Sequence, residues 1–106
     1  MNAEEIETLR QKAVDILKTV YDPEIPVDIW ELGLVYDVSV DDEGNAHIVM
    51  TLTTPNCPAA ESLPAQVKHR VGQIEGIKDV DVEVVWEPPW NPQMMSEAAR
   101  LQLGYM

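Results

Sequence analysis

The sequence predicts a small two-layer α+β (two-layer α/β) domain, ordered helix, strand, strand, helix, strand, with a three-stranded sheet, a proline-rich C-terminal arm and a short terminal helix. Apolar residues recur at helical spacing in two stretches, residues 4–20 and 63–74. In three others, near 34–40, 46–52 and 80–84, they alternate with polar ones at the period of a half-buried strand. Glycines and prolines fall at the boundaries between these stretches.

With 106 residues, 45% hydrophobic and 25% charged, the chain suits one domain over residues 1–106 with a single modest core. Its net charge of −12 repels phosphate backbones and anionic membrane surfaces, so neither nucleic acid nor membrane is an expected partner. The same field attracts a basic protein surface or a metal cation, although most of the acids read as solvated exterior. One cysteine cannot make an intrachain disulfide, the start of the chain is acidic without an apolar signal core, and no apolar run approaches the ~20 residues that span a bilayer. A cytoplasmic chain is expected.

The first helix covers residues 4–20, with Ile6, Leu9, Ala13, Ile16, Leu17 and Val20 on one stripe and acids early in the run. In Asp22-Pro23-Glu24-Ile25-Pro26 two prolines fix φ and restrict the residue before each, which gives a stiff loop. Asp22 and Glu24 are either metal-binding or site-supporting carboxylates held on that loop, or turn residues that satisfy nearby N–H groups. Asp28 to Leu32 reads as one helical turn that Gly33 ends in the left-handed conformation. Leu34, Tyr36, Val38 and Val40 then alternate in one strand and Ala46, Ile48, Met50 and Leu52 in the next, joined by the turn at Asp41-Asp42-Glu43-Gly44-Asn45. His47, on the other face of the second strand, reads as an exposed or edge histidine.

Thr53-Thr54-Pro55-Asn56-Cys57-Pro58 organises the rest. It joins the second strand to the second helix and holds the only cysteine. If the helix begins near Cys57, its free N–H groups and dipole stabilise a thiolate there; if it begins at Ser62, with Pro64 in its first turn, that argument weakens. The alternative is a buried cysteine acting as a small hydrophobe. Leu63, Val67, Val71 and Ile74 mark the helix, His69 lies on its surface, and Gly76 ends it before the strand of Val80, Val82 and Val84. The prolines from Trp86 to Pro92 require an extended arm, after which Ser96 caps a short helix closed by Gly104. Trp90, Met94 and Met95 either cover the sheet or present an adaptable apolar surface to another chain.

Several chemistries lack their residues. A catalytic thiol needs a base, and neither His47 nor His69 is placed near Cys57 by any local pattern. Zinc-ligand spacing, phosphate-binding glycine loops and an aromatic RNA-binding platform are all missing.

Taken together, Asp22-Pro23-Glu24-Ile25-Pro26, Leu32-Gly33-Leu34-Val35, Thr51-Leu52-Thr53-Thr54-Pro55-Asn56-Cys57-Pro58 and Pro88-Pro89-Trp90 before Ser96-Glu97-Ala98-Ala99-Arg100 resemble the SufT-like family of iron-sulfur cluster assembly factors, which is related to the PaaD-like proteins. The resemblance runs over nearly the whole chain. It implies a non-enzymatic role in metal-sulfur cluster biosynthesis, with the family's reactive cysteine falling on Cys57 as metal or sulfur ligand, its acidic loop on Asp22 and Glu24, and its threonine on Thr53. The PaaD-like subunits carry a C-terminal cysteine cluster that this chain lacks, which disfavours an oxygenase-subunit role. Clusters usually take four protein ligands and one chain offers one thiolate, so the implied cargo is a transient cluster or iron shared between two chains, as in a homodimer, or with a partner. The implied partners are the assembly machinery or apo client proteins. The other reading is an adaptor that binds a client or scaffold through Trp90, Met94 and Met95 and never touches metal.

Overall fold

A computed structural model describes residues 2–21, 27–52 and 59–104, the side chains of residues 59–61 excepted. Its elements are α1 (Ala3–Leu17), β1 (Val35–Val40), β2 (Asn45–Met50), α2 (Ala59–Val71), β3 (Asp79–Val84), a 3₁₀ turn (Pro92–Met94) and α3 (Glu97–Leu103). The expected order and the two-layer α+β class are both observed.

Asn2 caps α1 by accepting from the Glu5 N–H at 2.8 Å, and Glu4 and Glu5 lie in the first turn, where the helix dipole favours acids. The helix stops at Leu17, three residues before the expected end, because the next turn tightens: Thr19 N–H donates to Ile16 and Val20 N–H to Leu17. Val20 is nonetheless buried with Leu9, Ala13 and Leu17, so the apolar stripe packs as its spacing requires.

The sheet order is β1-β2-β3, with β1 antiparallel and β3 parallel to the central β2. Residues in register form rows across it: Val38, Ile48 and Val82 make one and Val40, Ala46 and Val80 another. These rows belong to the hydrophobic core or pack against it, together with Leu17, Leu63, Val67 and Val71 from the helices. The opposite face carries Ser39, His47 and Asp81 in register. Because β2 is central, His47 is not at an edge; its Nδ1 lies 2.8 Å from Asp81 and its Nε2 3.4 Å from Glu83. Arg10 Nε donates to the Val38 carbonyl at 3.0 Å and ties α1 to β1.

The second helix is described from Ala59 with Pro64 inside it, which matches the earlier of the two expected starts, but it ends at Val71, before the expected Gly76. It unwinds there because Gln73 and Ile74 switch to i→i−3 bonds, to Arg70 and Val71, while Gly76 serves a later turn at φ +99°, where a β-carbon would press on Leu9. The first strand is also irregular, since its register with β2 slips between Val35 and Asp37. Ser96 caps α3 by accepting from Ala99 N–H at 3.1 Å, and Gly104 closes it at φ +79°.

Candidate functional site

Four of the residues singled out by sequence, Asp22, Glu24, Thr53 and Cys57, lie outside the described residues. The structure does describe the main chain on which their two segments are rooted. Tyr21 and Asp28 pair as an isolated antiparallel bridge, so the chain leaves and re-enters at one place around residues 22–27. From there a line of backbone hydrogen bonds crosses the molecule. Ile29 N–H donates to Val20 at 2.8 Å, Leu34 N–H to Ile29 at 3.1 Å, and Thr51 N–H to Leu34 at 2.8 Å. Thr51 and Leu52, both buried, lead directly into residues 53–58. The root of the acidic loop and the root of the cysteine segment are therefore stitched into one frame.

Local chemistry explains the frame. Asp28 Oδ2 accepts from Glu31 N–H at 3.1 Å, which holds the turn through residues 28–32. Burial pushes the Asp28 carboxyl above its usual range, against backbone hydrogen bonds that pull it down. Gly33 follows at φ +79°, as the sequence requires, and the chain reverses into β1.

The C-terminal arm lies across this frame. Trp90 is half-buried against the core and its indole Nε1–H donates to the Leu32 carbonyl at 2.7 Å. Met94 is half-buried; its sulfur accepts from Asn91 N–H at 3.4 Å and lies 3.9 Å from the Tyr36 hydroxyl. Met95 is 4% exposed and belongs to the core, and Ser96 N–H donates to the Glu31 carbonyl at 2.8 Å. Trp90, Met94 and Ser96 thus meet residues 31–36, alongside the two loop roots.

Sequence reasoning gave no role at this site to Tyr36 or Thr51. Tyr36 occupies the slip in the β1–β2 ladder, and its hydroxyl donates to the Pro88 carbonyl at 2.7 Å. Burial holds its phenol above the ordinary tyrosine range, and the Thr51 hydroxyl pulls weakly the other way, which marks the two groups as neighbours. Thr51 itself is 0% exposed, and its Oγ1 meets no partner of hydrogen-bonding geometry among the described residues. A buried hydroxyl left so costs about 1–3 kcal/mol. The one available signal was the polar Thr51 between the core residues Met50 and Leu52.

His47 and His69 stand apart. The first is held by Asp81 and Glu83, and His69 Nε2 is 3.1 Å from the Gln73 side-chain amide. Among the described residues no three His, Cys, Asp or Glu side chains converge to hold a metal, and no helix is long and apolar enough to cross a membrane.

With this geometry in place, comparison with known proteins is informative. Residues 10–84 match the family model described as iron-sulfur cluster assembly protein. A Porphyromonas gingivalis protein named Fe-S protein maturation auxiliary factor is 46% identical over the full length of both chains. Staphylococcus aureus has a relative named Fe-S protein maturation auxiliary factor SufT, 48% identical over 80% of this chain and 97% of its own. A crystal structure from Bacillus anthracis, titled as a domain of unknown function DUF59, superposes with a TM-score of 0.91 at 40% identity, covering 99% of this chain and all of that one.

Proposed function

Since the chain belongs to the iron-sulfur cluster assembly protein family, we propose that it acts as an auxiliary factor in the maturation of iron-sulfur proteins, with Cys57 as a metal or sulfur ligand. The observation that supports this reading is the line of hydrogen bonds from Val20 through Ile29 and Leu34 to Thr51, which ties the main chain flanking residues 22–26 to the main chain that leads into residues 53–58. Asp22, Glu24 and Thr53 support the thiolate in this reading, as orienting or polarising groups. Cluster or iron is cargo, held with a second chain or with a partner because one thiolate leaves most coordination positions to others. Incomplete ligation favours release to an apo client. The role requires no catalytic turnover, draws on the assembly machinery or clients as partners, and fits a reducing cytoplasm that keeps the thiol free.

Anaerobic reconstitution with iron and sulfide tests it, comparing the native chain with Cys57→Ser by absorption spectrum and by size-exclusion mass. A chromophore that depends on Cys57, with a doubling of mass, is the outcome expected for a cluster bridged between two chains. Failure of both proteins to take up iron under conditions that load a known carrier removes the ligand role for the isolated chain.

A second reading, an adaptor, has its own support in the C-terminal segment. Trp86 and Leu101 are exposed, at 43% and 62%, on the same stretch as Trp90, Met94 and Met95. Here Trp90 and Met94 contribute their exposed edges to a client surface and the buried Met95 anchors them. Loss of client binding on changing Trp90 and Met94, with Cys57→Ser still binding, favours this reading.

A further inference from the structure

We propose that the outer edge of β3 is a docking strand for an extended segment of a partner protein in which lysine or arginine alternates with apolar residues. The proposal stands apart from the reading of Cys57 and rests on the sheet, whose two edges differ. At β1 the ladder slips between Val35 and Asp37, Arg10 Nε donates to the Val38 carbonyl, and the Tyr36 hydroxyl ties the strand to the C-terminal arm through Pro88. Bulges and covering segments of this kind keep other chains off a sheet edge. β3 has none of them. Its six residues, Asp79 to Val84, contain no proline or lysine, hold register with β2 without a slip, and form the last strand of the sheet. Because alternate residues of a parallel strand face each neighbour, half of its N–H and C=O groups have no strand partner among the described residues.

The side chains set the chemistry of the occupant. On the open face Asp79, Asp81 and Glu83 follow one another along the edge; Asp81 and Glu83 flank His47 yet stay 76% and 55% exposed, so both carboxylates can meet a residue on a further strand. Opposite charges directly across a ladder stabilise it and like charges weaken it. A second copy laid on this edge, with its core on the same side, sets these acids against their counterparts, and each chain carries −12. The occupant is therefore a basic partner and not another copy. On the core side Val80 is buried and Val82 and Val84 are half-buried, which requires apolar residues at the alternate positions of the added strand. A cleft of about 500 Å³ continues that side between β3 and α2, with Ala65, Gly72 and Val80 in its lining and Lys68 and Lys78 beside them. Those two lysines repel cations and so direct the partner's to the open face.

The probe is a capped peptide of alternating lysine and valine, about eight residues long, within the usual range of strands. One control keeps its composition with the lysines and valines in two blocks, and another replaces lysine by glutamate. Amide hydrogen exchange of the full chain is followed by NMR. The expected result is that the alternating basic peptide, at about ten times its Kd, slows exchange of alternate β3 amides by about tenfold and leaves β1 unchanged. Neither control should protect them. Asp81→Asn with Glu83→Gln should weaken binding of the basic peptide about threefold or more, the scale of two cross-strand ion pairs. Glu4→Gln with Glu5→Gln, which removes the same charge from α1, should weaken it less. Equal losses in the two double variants show attraction to net charge alone and overturn the proposal. So does a basic peptide that gives β3 no protection, protection by either control, or protection at β1 instead of β3. Slow exchange of every β3 amide before any peptide is added also overturns it, since the edge is then already covered by this chain or a second copy. None of these readouts involves Cys57 or iron, so they are independent of the ligand role.

Discussion

Gly33 lies so close to the carbonyl of Met94 that a β-carbon built on it would overlap the carbonyl oxygen. That contact, together with φ +79°, sets the seat of the C-terminal arm. Gly33→Ala has to absorb both the left-handed penalty of about 1–2 kcal/mol and the overpacking of a contact with backbone, about 1–3 kcal/mol more. Urea denaturation should show a loss of about 2–4 kcal/mol. A loss below about 0.5 kcal/mol, within the usual range for surface changes, would mean that the arm does not seat there.

Trp90 anchors the same arm through its indole N–H. Trp90→Phe keeps an aromatic ring but leaves the Leu32 carbonyl without this donor, which should cost about 1 kcal/mol. Combined with Gly33→Ala, the two losses should fall short of additive because the contacts at Gly33 and Leu32 are adjacent and seat the same arm. Strict additivity in a double-mutant cycle would show the arm to be held at independent points.

Acid should act first on the hairpin turn. Asp41 is held below the usual carboxylate range by the Asn45 backbone N–H, then by the Asn45 side chain, with further help from Glu43 and Gly44. A depressed folded pKa means the unfolded chain binds the proton first as pH falls, so Asp41 contributes stability above the ordinary carboxylate range and loses it as pH drops through its folded value. Asp41→Asn should therefore flatten the stability curve below pH ~4, where unperturbed aspartates titrate. Identical acid limbs in variant and native chain would remove Asp41 from the account.

Asp28 should behave oppositely. Burial raises its pKa, so the folded chain holds the proton more tightly and ionisation weakens the fold as pH rises through the folded value. Asp28→Asn retains an oxygen for the Glu31 N–H and removes that charge. Its stability relative to the native chain should rise from acid to neutral pH in equilibrium denaturation, and a constant difference would refute the assignment.

Much of this architecture was legible because it is written locally. Leu9, Ala13 and Leu17 recur at the helical period, and Ile48 and Met50 at the strand period, so each face follows from spacing within a few residues. Gly33, Ser96 and Gly104 mark turns and caps by what their own backbones allow. Where the second helix ends was misread, since Gly76 is a stronger stop than Gly72 only if the intervening turns are ignored.

By itself the sequence determined the class of fold, the order of its elements and the resemblance carried by Asp22, Glu24, Thr53 and Cys57. Tertiary structure alone decided the strand order, the slip at Tyr36, the full burial of Thr51 and the seat of Trp90 on Leu32. The physical reason is range. Helical and strand periods are imposed by neighbours, whereas Trp90 and Leu32 are 58 residues apart and Tyr36 and Pro88 are 52, so no local pattern encodes their pairing.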